Sequence, residues 1–456
     1  MSNYILFGAG KNIRNYIYII RAMGDEVSLI LDNSVEKQRI KIEGIDIQSP
    51  LNFDDHNERI MITCLAFDEV RVELYKLGLK EREIQIADYL KSKGALNEEE
   101  YNTIDSCKKT CVVLDLYSRE RWGGAEKWNF SIFSKLKSVA APLDMLLLKS
   151  EYVYLDKRDD SIRTIPKENS IPAIIDNLKQ WEQIVFFNSF HSDIFFALLL
   201  MKICQRKRVR IITVVHNDYG DLYKQCMLYE PFIDHYLCVS KMIAHTMINM
   251  YGIDKNKITC ISQPIEIPWI TSDQKPRKEK IQIGIASRLA KAQKRCELIP
   301  QLIELLEKKV KNYNLEIAGD GELYQFIKEY VDKNKLNNKV ILRGKLSDAE
   351  MCLFWKKTDV YVNFSDFEGT SLAMLEAMSY MCVPVVTCVS GVIDYIEDKK
   401  SGFVHNKGDL KGITDSINYL MNNRLKMEQI GEEARKSVLK KCNEQNICET
   451  IMKLVR

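Results

Sequence analysis

Residues 361–394, YVNFSDFEGTSLAMLEAMSYMCVPVVTCVSGVID, decide the reading of this chain. Val360, Tyr361, Val362 and Phe364 form a β-branched and aromatic run, Ser365 and Asp366 make a polar turn, and Glu368-Gly369-Thr370-Ser371 leads into helix-forming residues 372–378. The spacing predicts strand, loop and helix. Thr370 or Ser371 suits an N-cap, so the unpaired N–H groups of residues 370–373 point out of the helix start, where the macrodipole favours an anion such as a phosphate. Glu368 stands before that helix and Glu376 inside it. Carboxylates repel a phosphate they touch, so these two are better matched to hydroxyl groups on either side of it. Ribose, diphosphate and sugar follow in that order in a nucleotide sugar.

The run from Glu368 to Met378, with its two acids, its glycine and its Glu376-Ala377-Met378, followed by Pro384-Val385-Val386-Thr387, resembles the carboxylate pair and following strand of retaining GT-B glycosyltransferases of family 4. The resemblance implies that Glu368 holds hydroxyls of the donor sugar, that Glu376 holds the ribose, and that Gly369, Thr370, Ser371 and Leu372 line the donor site. It extends over residues 110–440.

Upstream, residues 281–286 read as a strand with Ser287-Arg288-Leu289 at its end and Lys294 in the loop beyond. A guanidinium and an ammonium there are suited to offsetting the two charges of a diphosphate. The family places an arginine and a lysine at matching positions, but this chain carries Ser287 and Arg295 where glycines are commoner. Residues 315–322 and 340–346 add two more strand-and-turn units, the second ending in Arg343-Gly344-Lys345-Leu346, which resembles the family's base-contacting segment. Five strands, each followed by a helix, make this a Rossmann-like donor domain, residues 271–425.

Residues 110–270 repeat the pattern. Strands are expected at 111–116, 145–148, 184–187, 211–215 and 236–239, with a helix over the core residues Trp128, Phe130, Ile132, Phe133 and Leu136. Gly123-Gly124-x-Glu126, before that helix, resembles the family's loop facing the donor diphosphate, and His216, just past a strand end, resembles its sugar-contacting histidine. His191 is a second, weaker histidine candidate. Residues 194–203 are almost wholly apolar and are followed by Arg206, Lys207, Arg208 and Arg210, a pattern matching either a buried helix or a surface resting on anionic lipid.

Residues 1–95 read as an extra Rossmann-like module. Gly8-Ala9-Gly10 follows a strand and Asp32 ends the next one, but Ile13 replaces the third glycine of a dinucleotide fingerprint. Nucleotide binding and a purely structural role both stay open, and removal of the module is expected to spare the site. The tail, 426–456, is expected to be helical and to pack back on the acceptor domain.

The 456 residues, 46% hydrophobic and 28% charged with a net charge of +3, lack the basic excess of a general nucleic-acid binder. No apolar run approaches the ~20 residues that cross a bilayer. Thirteen cysteines without a C-x-x-C pair suggest a reduced, cytoplasmic protein. The expected fold is therefore α/β, a GT-B pair of domains facing a cleft behind an extra module. The expected chemistry is retaining transfer from a nucleotide-diphosphate sugar, with no cofactor and no metal, to a saccharide or lipid-linked saccharide, in the cytoplasm or at the cytoplasmic face of the membrane. Competing readings are an NAD(P)-binding oxidoreductase or a sugar-nucleotide-modifying enzyme acting through the front module, and a non-catalytic GT-B partner subunit.

Overall fold

The computed structural model describes residues 1–53, 58–79, 82–93, 110–114, 124, 127–129, 131–132, 143–148, 162–165, 170–188, 193–204, 208–270, 279–310 and 312–455. Three sheets follow one another along the chain. The first runs Lys41–Ile42, Ile45–Gln48, Glu26–Leu31, Asn3–Phe7, Arg59–Ile62, Glu83–Gln85, parallel except for the short edge hairpin. The second is an all-parallel, seven-stranded sheet ordered Ile258–Cys260, His235–Cys238, Arg208–Val215, Gln183–Asn188, Thr110–Leu114, Leu143–Leu148, Ile162–Ile165. The third is also parallel: Val340–Gly344, Tyr313–Ala318, Ile281–Ala286, Val360–Asn363, Val383–Thr387, Phe403–His405. The strands Ile162–Ile165, Ile258–Cys260 and Phe403–His405 lie at sheet edges and are only three or four residues long, too short to show a period in the sequence.

In the second and third sheets the central strands read as continuous apolar runs because helices cover both faces. Ile281–Ala286 is buried at all six positions and Val383–Thr387 at all five. Parallel order brings the carboxyl ends of these strands to one edge, where open α/β sheets keep their ligands.

The first module is fastened to the second domain through the apolar helix Asp193–Cys204. Eight consecutive side chains, Ile194 to Met201, are buried there. Tyr16, on the front helix Ile13–Ala22, packs edge-on against Phe196 at 5.5 Å, its hydroxyl meets that of Tyr229 at 2.9 Å, and Asn15 donates to Asp193 at 2.9 Å. A helix apolar all round has to be covered on every side. Of its basic end, Arg206 and Lys207 lie outside the described residues. Lys202 sits 2.5 Å from Asp234 and donates to the Phe232 carbonyl, while Arg210 donates to the carbonyl of Leu454 at 2.7 Å. The lipid-facing reading of residues 194–203 is thus overturned: the surface it needs is interior.

This packing also revises the expectation that the module is dispensable. Each large apolar side chain uncovered costs about 1.5–3 kcal/mol, so a chain starting at residue 96 is expected to be recovered aggregated, or to melt well below the full protein. Soluble truncated protein with an unchanged melting temperature would show that the Tyr16–Phe196–Tyr229 contact does not hold the fold.

The tail crosses in two stages. The helix Arg424–Lys441 stays on the third domain, its Ile430, Ala434 and Val438 buried in clusters with Leu420 and Met378. The helix Glu444–Val455 packs on the second domain, where Ile447, Ile451, Met452 and Val455 join the core that contains Val209 and Ile211. The reading of the whole tail as packed on the acceptor half is corrected accordingly.

Candidate active site

The strand Val360–Asn363 delivers the loop that precedes the helix Leu372–Ser379. Ser371 caps the helix, its Oγ accepting the Met374 N–H at 3.3 Å. Thr370 has another task. Its hydroxyl donates across the domain boundary to the Val239 carbonyl at 2.7 Å. Gly369 lies so close to the strand-end histidine that a Cβ there would stand 2.2 Å from the His216 carbonyl oxygen and 2.6 Å from Val239 Cγ2. Gly391, in turn, leaves no room for a Cβ against the Gly369 carbonyl oxygen, also 2.2 Å away. The two halves therefore meet backbone to backbone at the motif. Around this clasp, Gln293 donates to Asn217 Oδ1 at 3.3 Å and to the Phe367 carbonyl at 3.1 Å, Asp394 accepts the Lys241 N–H at 2.8 Å, and Ser390 donates to Asp218.

Glu368 is 4% exposed, and its Oε1 accepts three hydrogen bonds: from Lys294 Nζ at 2.7 Å, Asn363 Nδ2 at 3.0 Å and Ser365 Oγ at 2.5 Å. Burial alone would raise its pKa, but the Lys294 charge and these donors outweigh it and hold the carboxyl below its usual range. Glu368 is thus a carboxylate at neutral pH. Saturating Oε1 leaves Oε2 as the oxygen that can take a ligand hydroxyl.

Arg288 is exposed at the end of the strand Ile281–Ala286. Its loop is fixed by the neighbouring one: the Leu289 N–H donates to the Asp320 carbonyl at 2.9 Å, and Gly319, at φ +133°, could not carry a Cβ, which would overlap the Ser287 carbonyl oxygen. Arg295, one of the two departures from the family pattern, takes the left-handed φ of +52° that glycine adopts freely. Its guanidinium secures that strained position with bonds to Asp366 at 2.7 Å and Glu297 at 2.6 Å.

Glu376, one turn into the helix, accepts from the Trp355 indole at 3.3 Å and faces Lys127 Nζ at 3.5 Å. Leu346 packs in the same cluster as Trp355. Gly124 abuts Leu372, whose Cδ1 would lie 3.6 Å from a Cβ on the glycine. His216 is held edge-on by the buried Trp128, ring centroids 5.4 Å apart.

Gly124, His216, Gly369 and Thr370 thus fall where the second and third domains face each other, with Glu368, Lys294 and Glu376 beside them. One pairing differs from the expectation: Lys294, assigned to the diphosphate, here contacts Glu368. Lys127, Trp355, Asn363 and Ser365 were not singled out from the sequence. Asn363 and Ser365 sit inside the decisive stretch but read only as a strand end and a turn. Gly123, Glu126 and His191 lie outside the described residues.

In the front module the ribose-type acid is already used. Asp32 Oδ2 accepts the Ala9 N–H at 2.7 Å and pairs with Lys37 at 3.1 Å. The acid that a dinucleotide would need for its ribose is therefore already bonded within the module.

Two Rossmann-like domains joined at their strand ends, with paired carboxylates and cations at the junction, define the GT-B class. Family models agree along the chain: "Glycosyltransferase Family 4" matches residues 151–267 and "Glycosyl transferases group 1" matches residues 269–437. The chain belongs to this glycosyltransferase family. It is 30% identical over 177 residues to a poly(ribitol-phosphate) alpha-N-acetylglucosaminyltransferase of Staphylococcus aureus, a match covering 39% of this chain and 35% of that protein. It is 28% identical over 257 residues to the capsular polysaccharide biosynthesis glycosyltransferase CapM of Staphylococcus aureus, covering 53% and 67%. The chain thus aligns with between about a third and two thirds of the length of these relatives. Among solved structures, Anabaena HepE in complex with UDP and glucose superposes with a TM-score of 0.62 at 15% identity, over 76% of this chain and 98% of that one. S. aureus TarM gives 0.55 at 15% identity, over 100% of this chain and 99% of that one. No helix among the described residues is long and apolar enough to cross a membrane.

Proposed function

We propose that this protein transfers a glycosyl group from a nucleoside-diphosphate sugar, with UDP as the nucleotide, to a hydroxyl of a saccharide or lipid-linked saccharide during bacterial surface polysaccharide synthesis. The anomeric configuration is retained, and side chains rather than a metal ion hold the diphosphate. The observation that carries this reading is the buried, ionised Glu368 beside Lys294, at the line where the two halves close. Glu376 takes the ribose, and Leu346 lies against the base. The N-terminus of the helix Leu372–Ser379, with Arg288 and Lys294, stabilises the charge that develops on the departing nucleotide. Glu368 Oε2 and His216 orient the sugar. The reaction breaks the bond between the anomeric carbon and the β-phosphate oxygen; the nucleoside diphosphate leaves with the bonding pair, and the acceptor hydroxyl gives up its proton as its oxygen bonds to that carbon. Retention follows the chemistry of the family. The relatives' names support polymer synthesis.

The test is thermal. UDP at about a hundred times its Kd is expected to stabilise the protein by about 2.7 kcal/mol, equally with and without EDTA, and slow hydrolysis of one UDP-sugar is expected from a donor panel. Stabilisation only with Mg²⁺ or Mn²⁺, or by no nucleoside diphosphate, would overturn the assignment.

A further inference from the structure

We infer that Lys127, paired with Glu376, is a third cation for the donor diphosphate and is handed over to phosphate when ribose hydroxyls take the carboxylate. This rests on the proposed donor site and adds to it a residue from the acceptor half. Lys127 Nζ stands between two carboxylates of the opposite domain, 3.5 Å from Glu376 Oε1 and 3.6 Å from Asp348 Oδ1. Both contacts are long beside the 2.7 Å of Lys294 to Glu368, and Asp348 is 94% exposed, so neither partner grips it. The two acids nevertheless outweigh its desolvation and keep it charged.

The geometry gives it somewhere to go. Gly124 faces Leu372 across the boundary, where a Cβ on the glycine would lie 3.6 Å from Leu372 Cδ1, and Lys127 faces Glu376, three and four positions further along their respective segments. Glu376 and Leu372 share a helix face at i and i+4, about 5–6 Å apart, and the free N–H groups lie at the Leu372 end. A shift of one turn, within the reach of a lysine stem, carries Nζ from the ribose acid to the phosphate position. Glu376 does not then lose its remaining partner, because the Trp355 indole bonds the other oxygen, Oε2.

Lys127 therefore competes with ribose for Glu376, and once the nucleotide is bound it assists the phosphates. The two effects separate when a nucleoside is compared with its diphosphate. Calorimetric titration of UDP and of uridine into the parent, Lys127→Met and Lys127→Arg is the test, with melting temperatures taken to verify folding. Lys127→Met is expected to weaken UDP about tenfold or more while uridine binds as well as to the parent or better, and Lys127→Arg to keep UDP within about threefold. An equal loss for UDP and uridine would reduce Lys127 to a shaper of Glu376. Unchanged UDP affinity would make it a strut between domains, and either result overturns the hand-over. A parent that binds neither compound removes the assignment of UDP as the nucleotide, before any variant is made.

Discussion

Glu368→Gln is expected to lower turnover by about 10²-fold or more while leaving UDP affinity at or slightly above that of the parent. The amide keeps the size of the side chain. Its carbonyl oxygen can stay under Asn363, Ser365 and Lys294, which places the NH2 group where Oε2, the oxygen proposed to take the sugar hydroxyl, now stands. A charged acceptor aimed at a sugar hydroxyl becomes a neutral donor, and the loss is felt where charge builds up on the sugar ring. Bare UDP carries no sugar, so that loss does not touch its binding. Lys294, relieved of its 2.7 Å counter-ion, is freer to meet a phosphate. Glu376→Gln serves as the comparison and shows the reverse signature, a weaker UDP affinity by roughly 1–3 kcal/mol, because its ligands are ribose hydroxyls. Titration calorimetry beside a turnover assay reads both. Equal losses of UDP affinity in the two variants would mean that sugar and ribose are wrongly divided between the acids.

Acid should affect the same carboxylate late. The folded-state pKa of Glu368 is depressed, so its contribution to stability is complete above the unfolded value of about 4.3 and is lost only as pH falls through the lower folded value.

What the sequence disclosed depended on how far each signal reaches along the chain. The decisive stretch was legible because strand, cap and acids are local: a β-branched and aromatic run, a serine before a helix, and two carboxylates eight positions apart need no partner to be recognised. The helix Asp193–Cys204 was ambiguous for the opposite reason. An all-apolar run looks the same whether lipid or protein covers it, and the covering residues, Tyr16 and Tyr229, are distant in sequence. Lys127 is likewise a plain surface lysine until the fold sets it against an acid 249 positions away. Arg295 shows that a departure from a pattern can preserve the geometry, since two acids hold it in the conformation that glycine would have adopted.

The clasp at Gly369 sets the other large effect. Gly369→Ala is expected to cut turnover by about 10²-fold in a protein that still folds, whereas Gly10→Ala, where a Cβ meets nothing within 4 Å, should leave activity unchanged. The obstacle at Gly369 is main chain. A methyl group 2.2 Å from the His216 carbonyl oxygen and 2.8 Å from its carbonyl carbon cannot be relieved by a rotamer change, so the loop must withdraw by about 1 Å to restore ordinary van der Waals contact. Withdrawal on one side is blocked by Gly391, whose own Cα hydrogens face the Gly369 carbonyl; the halves must therefore part instead. Parting stretches the bond from Thr370 to the Val239 carbonyl and moves Glu368, the adjacent residue, away from His216. Each domain keeps its own sheet and core, so circular dichroism and most of the melting temperature should survive. UDP binding, which rests mainly on the third domain, should fall far less than turnover. An alanine variant with full turnover would show that the site works with its halves apart, and that catalysis does not need the contact between Gly369 and His216.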